Sequence, residues 1–309
     1  MITVVCANPC LDRMVHLERL TRGGMNRVKA SVSFGSGKGV NVAVTAAALG
    51  LPAVCIGLLP EENSAPVPLR LEEAGVRYEF IPVPGMLRCN MKLREADGTV
   101  TEVNESGAPV NAESMAKLAD LCLRYAQNCE ALVLAGSLPQ RADAGFYAEM
   151  IDRVRASCSD CRVVVDAEGE LLRKAVARGP FLIKPNRYEL SLLCGHEVNG
   201  IEDAAREARA LAEGGVANVI VTLGPDGAVG ANREGVFAID AYPCTVYSTV
   251  GAGDALLSAA AAALAAGRGM EAALLEGTAA STAVVGSADG TANLELAQRV
   301  MHTLKVRRL

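Results

Sequence analysis

The sequence is poor in the side chains that supply aromatic cores and metal sites. In 309 residues it has no tryptophan, six tyrosines and five phenylalanines, and only three histidines. A core must therefore be built from Ala, Val and Leu, and a chain that is 50% hydrophobic supplies enough of them for one α/β domain. His16, His196 and His302 are too scattered to suggest a metal site. Basic runs are missing except for the final Lys305-Val306-Arg307-Arg308, and the formal charge is −5, so nucleic acid is not an expected partner. An anionic ligand must be held by a few local charges. No apolar run reaches the ~20 residues that span a bilayer; the longest, Ala255 to Ala266, is alanine-rich and short, so no membrane partner is expected. The Met1-Ile2-Thr3-Val4-Val5-Cys6 start lacks the basic region of an export signal and reads as a strand, which gives a cytoplasmic expectation. Neither low complexity nor a fixed-period repeat is present.

Cysteine, by contrast, is plentiful, with ten residues. Cys6, Cys55, Cys122 and Cys194 sit inside apolar segments at irregular spacing, as small core hydrophobes do in a reducing compartment. Cys158-Ser159-Asp160-Cys161 has C-x-x-C spacing without a second pair, which is weak support for zinc or redox chemistry.

Short β-branched runs alternate with helical patterns: Ile2 to Cys6, Ala53 to Leu58, Ala131 to Ala135, Arg162 to Val165, Phe181 to Ile183 and Val219 to Leu223. Between them, Ala204, Ala205, Ala208, Leu211 and Ala212 share one helical face. This alternation predicts a doubly wound, mainly parallel sheet flanked by helices, with ligands at the carboxyl ends of its strands. Two segments break the rhythm by strict alternation. In Arg27 to Phe34 the apolar positions are Val28, Ala30, Val32 and Phe34; Arg88 to Arg94 alternates likewise before a turn at Ala96-Asp97-Gly98. They predict a small inserted β-sheet, with lid strands at about 12–34 and 86–104 of a single 1–309 domain. Its apolar face would be free for a partner subunit, hence an expected homodimer. An antiparallel extension of the main sheet is the alternative.

Ser248-Thr249-Val250-Gly251-Ala252-Gly253-Asp254 opens directly into the apolar run. The glycines allow a tight turn that aims backbone N–H groups outward at a helix N-terminus, where phosphate oxygens are favoured. Asp254 then has two readings, a helix cap or a base beside a polyphosphate. Gly35-Ser36-Gly37-Lys38-Gly39-Val40-Asn41 looks like a phosphate loop but fails the Walker template, because position 32 is Val and position 39 is Gly, and it fails the dinucleotide spacing too. It leaves either a tight strand-to-helix turn or a backbone cradle carrying Lys38 and Asn41 for a polyhydroxylated ligand.

Several motifs occur together in one order. They are Asn8-Pro9-Cys10-Leu11-Asp12, Asn26-Arg27, Gly37-Lys38-Gly39-Val40-Asn41-Val42-Ala43, Arg88-Cys89-Asn90, Thr101-Glu102-Val103-Asn104, Gly136-Ser137-Leu138-Pro139, Lys184-Pro185-Asn186-Arg187-Tyr188-Glu189-Leu190 and Val250-Gly251-Ala252-Gly253-Asp254. In that order, over nearly the whole chain, they resemble the ribokinase-like (pfkB) carbohydrate kinases. The resemblance is greatest to the branch that contains 1-phosphofructokinase and tagatose-6-phosphate kinase. It implies ATP and Mg2+ as cofactors and phosphoryl transfer to a ketohexose monophosphate, with fructose 1-phosphate the favoured substrate and tagatose 6-phosphate the next. Asp254 would be the base, and the amides of Gly251, Ala252 and Gly253 would hold the transferred phosphoryl group. Asn186 and Glu189 would organise magnesium, Lys184 would reach the nucleotide phosphates, and Asp12 and Asn41 would bind sugar hydroxyls. Arg27, Lys38 and Arg88 would gather round the phosphate already on the sugar, with Gly37, Gly39 and Ser137 completing the sugar side. Thr222, Gly224, Gly227 and the helix round Ala279 would form the adenine side, although a buried helix has the same composition.

Four departures from that branch surround the inferred sugar pocket: Leu59-Pro60-Glu61-Glu62-Asn63-Ser64 where glycines are usual, Leu87, Ala135 and Gln140-Arg141. They put the identity of the substrate in doubt. A kinase for an unphosphorylated sugar or nucleoside, and a catalytically silent sugar-phosphate sensor, remain the other readings.

Overall fold

The structure, a computed structural model, describes residues 1–287 and 292–309. The chain opens with β1 (Ile2–Cys6), β2 (Cys10–His16), β3 (Ala30–Ser36), α1 (Lys38–Ala48), β4 (Ala53–Glu62), α2 (Pro66–Glu73) and β5 (Arg77–Met86). It continues through β6 (Arg88–Arg94), β7 (Val100–Asn104), α3 (Ala112–Ala126), β8 (Ala131–Ala135), α4 (Phe146–Ser157), β9 (Arg162–Asp166), α5 (Gly169–Val176) and β10 (Leu182–Ile183). The last third holds α6 (Arg187–Cys194), α7 (Gly200–Glu213), β11 (Asn218–Thr222), β12 (Ala228–Asn232), β13 (Gly235–Ile239), α8 (Ala252–Ala265), α9 (Gly269–Val285), α10 (Leu294–Thr303) and β14 (Arg307–Arg308).

Ten strands form the main sheet in the order β14-β13-β12-β11-β10-β9-β8-β1-β4-β5. From β5 to β11 the pairing is parallel, and β12, β13 and β14 add an antiparallel edge. The expected doubly wound sheet is present. Its strands are apolar throughout because both faces are covered. Val5, Leu132 and Leu134 pack towards α3 and α4, while Val4, Ala131 and Val133, one residue out of phase, pack towards α1 and α8. After β1 the chain runs to β4 and β5 on one side, and β8 and β9 follow on the other. The crevice between β1 and β8 is therefore a topological switch point, where open α/β sheets bind ligands.

Strand β5 was not legible in the sequence. Its RYEFIPVPGM carries two prolines, which a strand tolerates at a sheet edge, and β5 is the edge strand.

The two alternating segments join a separate four-stranded sheet, β3-β2-β6-β7, rather than extending the main one. It is mixed: β2 pairs antiparallel with β3 and parallel with β6, and β6 pairs antiparallel with β7. Strand β6 has the expected bounds. Strand β3 starts at Ala30 rather than Arg27, because β2 ends at His16, which pairs with Ala30 and accepts a last backbone hydrogen bond from Lys29 N–H. Val32, Val100 and Val103 of this sheet are exposed. All ten cysteines are free; Cys161 faces Cys129 (Sγ–Sγ 3.6 Å) rather than its C-x-x-C partner Cys158. Among the described residues, no helix is long and apolar enough to cross a membrane.

Candidate active site

The first turn of α8 begins at Gly251, whose φ of +81° is left-handed and whose position is the N-cap. No side chain caps this helix. Asp254, three residues on, is turned inwards: it is 7% exposed and faces the Asn41 side chain of α1. The capping reading of Asp254 is thereby removed. Burial pushes its carboxyl up to about 6, and the nearby Asp166 charge adds to this against the opposing pull of Lys38 and Lys184. The amides of the first turn have no helical acceptors; Ala252 N–H makes only a long contact to Thr249 O at 3.3 Å. A Cβ at Gly253 would lie 3.2 Å from Lys184 Nζ, so glycine at this position lets the ammonium sit against the helix start.

Asp166, the last residue of β9, is 1% exposed and anchors two lysines. Lys38 Nζ donates to its Oδ1 at 2.9 Å, and Lys184 Nζ lies 3.6 Å from its Oδ2. Burial pushes the Asp166 carboxyl up, but Lys184 and Lys38 outweigh it and hold the group below the usual carboxylate range. Lys38 behaves in the opposite sense: burial pulls its ammonium down, while Asp166 and then Glu189, 3.9 Å away, hold it well above its ordinary value. An ionised cluster is thus kept in the switch-point crevice, where burying charge is costly unless it is paired.

Asn186 and Glu189 share the start of α6 as their spacing predicts. They form a reciprocal capping box: Asn186 Oδ1 accepts from Glu189 N–H and Glu189 Oε2 accepts from Asn186 N–H, both at 2.8 Å. Glu189 Oε1 and a second lone pair on Asn186 Oδ1 remain. Among the described residues no three acidic, histidine or cysteine side chains converge into a cage for an ion. Glu189 Oε1, which also faces Lys38 Nζ at 3.9 Å, and Asn186 Oδ1 are a hard-oxygen pair whose chemistry suits a magnesium ion that keeps most of its waters.

On the other side of Asp254 the small sheet contributes Asp12, which is 5% exposed. Its carboxylate accepts from Ser36 Oγ (2.9 Å) and Asn90 Nδ2 (3.2 Å), and Lys92 Nζ lies 3.7 Å away. Arg70 of α2 donates to Asn41 Oδ1 at 2.9 Å and to Gly35 O at 2.7 Å, and its guanidinium lies over the Phe34 ring. Gly37 is the N-cap of α1 and Gly39 lies in its first turn against β1, where a Cβ would come within 2.6 Å of Cys6 Cβ.

The three cations expected at the sugar phosphate turn to different partners. Lys38 faces Asp166. Arg88 ties the small sheet to the main one, donating to Asn8 O (3.0 Å), Asn90 Oδ1 and Glu105 O (both 3.1 Å). Arg27 is exposed in the segment before β3, and among the described residues its side chain has no partner. Ser137, also exposed, accepts from Asn8 Nδ2 at 3.1 Å. Thr222 ends β11 and bridges to Asn186; Gly224 and Gly227 bracket the following tight turn. Ala279 is buried within α9, 3% exposed.

Reading the sequence missed Asp166, Arg70 and Lys92. Lys92 had a signal, since residues 88, 90 and 92 fall on one face of an alternating strand. Asp166 had a weaker one, a lone acid at the end of an apolar strand in an α/β pattern. Arg70 had none, as one arginine on a short amphipathic helix is usually solvated.

A buried acid at the mouth of a glycine loop, on a doubly wound sheet with a small second sheet, is the arrangement of a class of sugar kinases. Residues 7–297 match the description "pfkB family carbohydrate kinase", and the chain belongs to that family. It is an ATP-dependent sugar kinase. The chain is 31% identical over 256 residues to a 1-phosphofructokinase of Escherichia coli, covering 83% of this chain and 81% of that protein. A 1-phosphofructokinase of Bacillus subtilis is 30% identical over 310 residues, covering 100% of both. The crystal structure of phosphofructokinase-2 from Escherichia coli in complex with substrates and products superposes with a TM-score of 0.90 at 27% identity, covering 98% of each chain.

Proposed function

We propose that this kinase phosphorylates fructose 1-phosphate to fructose 1,6-bisphosphate. The observation that carries the chemistry is Asp254, a buried carboxyl that caps nothing, stands at the first turn of α8 and is poised at about 6. In the proposed step the sugar hydroxyl oxygen forms a bond to the γ-phosphorus of ATP, the bond from that phosphorus to the bridging oxygen breaks, and ADP leaves. The hydroxyl proton goes to Asp254. The amides of Gly251, Ala252 and Gly253 donate hydrogen bonds to the phosphoryl oxygens as their negative charge grows, with Lys184 beside them. Asp12 and Asn41 orient the sugar hydroxyls. Arg27 and Arg88, with Gly37, Gly39 and Ser137, receive the phosphorylated end of the sugar, while Lys38 stays paired with Asp166. Thr222, Gly224, Gly227 and Ala279 line the nucleotide side. Magnesium, held through Asn186 and Glu189 with its own waters, would neutralise charge on the nucleotide phosphates.

Support for a phosphorylated ketohexose comes from the 1-phosphofructokinase relatives, which cover 83% and 100% of the chain, and from Lys92 beside Asp12 in a protein of net negative charge. Tagatose 6-phosphate is the second reading, from the motif resemblance. Two copies joined through the exposed valines of the small sheet are part of the proposal. Incubation with ATP and fructose 1-phosphate, tagatose 6-phosphate or the free sugars, following ADP release, tests it. The highest kcat/KM with fructose 1-phosphate is expected. A preference for a free sugar, or binding without turnover, would overturn the assignment.

A further inference from the structure

We infer that Arg70 is a positioning residue for the phosphoryl-transfer step: its guanidinium fixes the Asn41 side-chain amide so that the NH2 end, not the carbonyl, faces Asp254. This rests on the proposed role of Asp254 as base and adds a residue that touches neither substrate nor nucleotide in that scheme.

An asparagine amide presents an acceptor at one end and two donors at the other, and only its surroundings decide which way it points. Three groups surround Asn41. Arg70 Nη1 lies 2.9 Å from Oδ1 and has only donors. A flipped amide would set N–H against N–H there, so the arginine admits one orientation alone. Ser36 Oγ lies 3.2 Å from the same Oδ1, but the same Oγ, with its single proton, lies 2.9 Å from Asp12 Oδ2. The shorter, charge-assisted bond to the carboxylate takes that proton. Arg70 is then the donor on which the orientation of Asn41 depends, and with Oδ1 so held the NH2 end is the one left to face Asp254.

Arg70 is itself held. Nη1 also donates to Gly35 O at 2.7 Å, and its guanidinium lies 5.0 Å over the Phe34 ring, so both Phe34 and Gly35 of β3 fix the arginine. The line from the small sheet to the base therefore runs β3, Arg70, Asn41, Asp254. Asp254 is faced by Asp166 from β9, Lys38 and Asn41 from α1, Lys184 from the loop after β10, and Arg70 from α2. Losing Arg70 removes one cation from this set and frees the amide to turn its carbonyl towards the carboxylate. Both changes favour the protonated, inactive base.

The test compares Arg70→Met and Arg70→Lys with wild type. Arg70→Met should lower kcat about ten- to a hundred-fold, leave KM for ATP unchanged and move the acidic limb of the pH profile upwards. Arg70→Lys, which keeps a donor and a charge, should recover much of the rate. In an Asn41→Ala background, Arg70→Met should cost less than in wild type, since the part acting through Asn41 is already lost and only the loss of its charge remains. A rise in KM for the sugar phosphate alone would make Arg70 a ligand contact and overturn the proposal, as would full additivity with Asn41→Ala. The 13C titration of the Asp254 carboxyl in the substrate-free protein needs no turnover. An unchanged midpoint in Arg70→Met, or in Arg70→Gln should the methionine variant fail to fold, overturns the inference even if the kinase assignment stands. A shifted midpoint in a protein that turns over no sugar phosphate would keep the inference about Asp254 and remove the substrate reading instead.

Discussion

Lys38 and Asp166, 128 residues apart in sequence, meet through a 2.9 Å charge-assisted hydrogen bond across the crevice between α1 and β9. The carboxylate is fully buried while the ammonium keeps 31% of its side-chain surface in water. Such a pair gives little net stability while whole, but removing one partner strands the other. Lys38→Met should leave Asp166 with Lys184 alone and cost about 3 kcal/mol, read as a lower midpoint in urea without a change in slope. An unchanged midpoint would show that Lys184 suffices.

Asp254 links stability to activity in opposite directions. Its folded carboxyl titrates at about 6 against an ordinary 3.8, so the fold binds the proton more tightly than the unfolded chain does. The favourable contribution is complete below the unfolded value and is lost as the pH rises through 6. At neutral pH the buried charge costs on the order of 2 to 3 kcal/mol. Asp254→Asn is therefore expected to raise Tm at pH 7, with the gain vanishing towards pH 4, and to abolish turnover. A lower Tm at pH 7 would contradict the burial argument; near-wild-type turnover would remove Asp254 as base.

The pH profile of the wild-type enzyme follows from the same group. A base must be deprotonated, so kcat/KM should fall on the acid side with a midpoint near 6 rather than near 4. Asp166, held below the usual range, should contribute no limb there.

Gly253 and Lys184 are packed so closely that a methyl group at 253 would press on the ammonium at 3.2 Å. Gly253→Ala should shift the Lys184 ammonium from the helix start by a few tenths of an ångström and lower kcat with little change in KM for the sugar. An unaffected kcat would separate Lys184 from the phosphoryl site.

Arg88 is the cation for which a positioning role and a binding role compete, since its guanidinium already serves two backbone carbonyls and Asn90. Arg88→Ala should raise KM for the sugar phosphate much more than KM for ATP. Equal rises in both would assign it to holding the two sheets together.

The parallel sheet was written in the sequence because strands buried on both faces must be apolar throughout, and Ile2–Cys6 and Ala131–Ala135 have no other use. The glycine turn before α8, the Asn186/Glu189 spacing and strand β6 were equally local, and each needs only a few residues to state its conformation. The sequence could not decide whether Asp254 caps its helix or turns inwards, because that depends on Asn41, Asp166 and two lysines brought from other strands and helices. Nor could it say that Lys38 would face an aspartate rather than share a surface with Arg88. Charges and amides acquire partners only when distant segments close on one another, so the local rules of helix, strand and turn were readable in advance, while pairing, burial and the resulting shifts in proton affinity belonged to the tertiary structure alone.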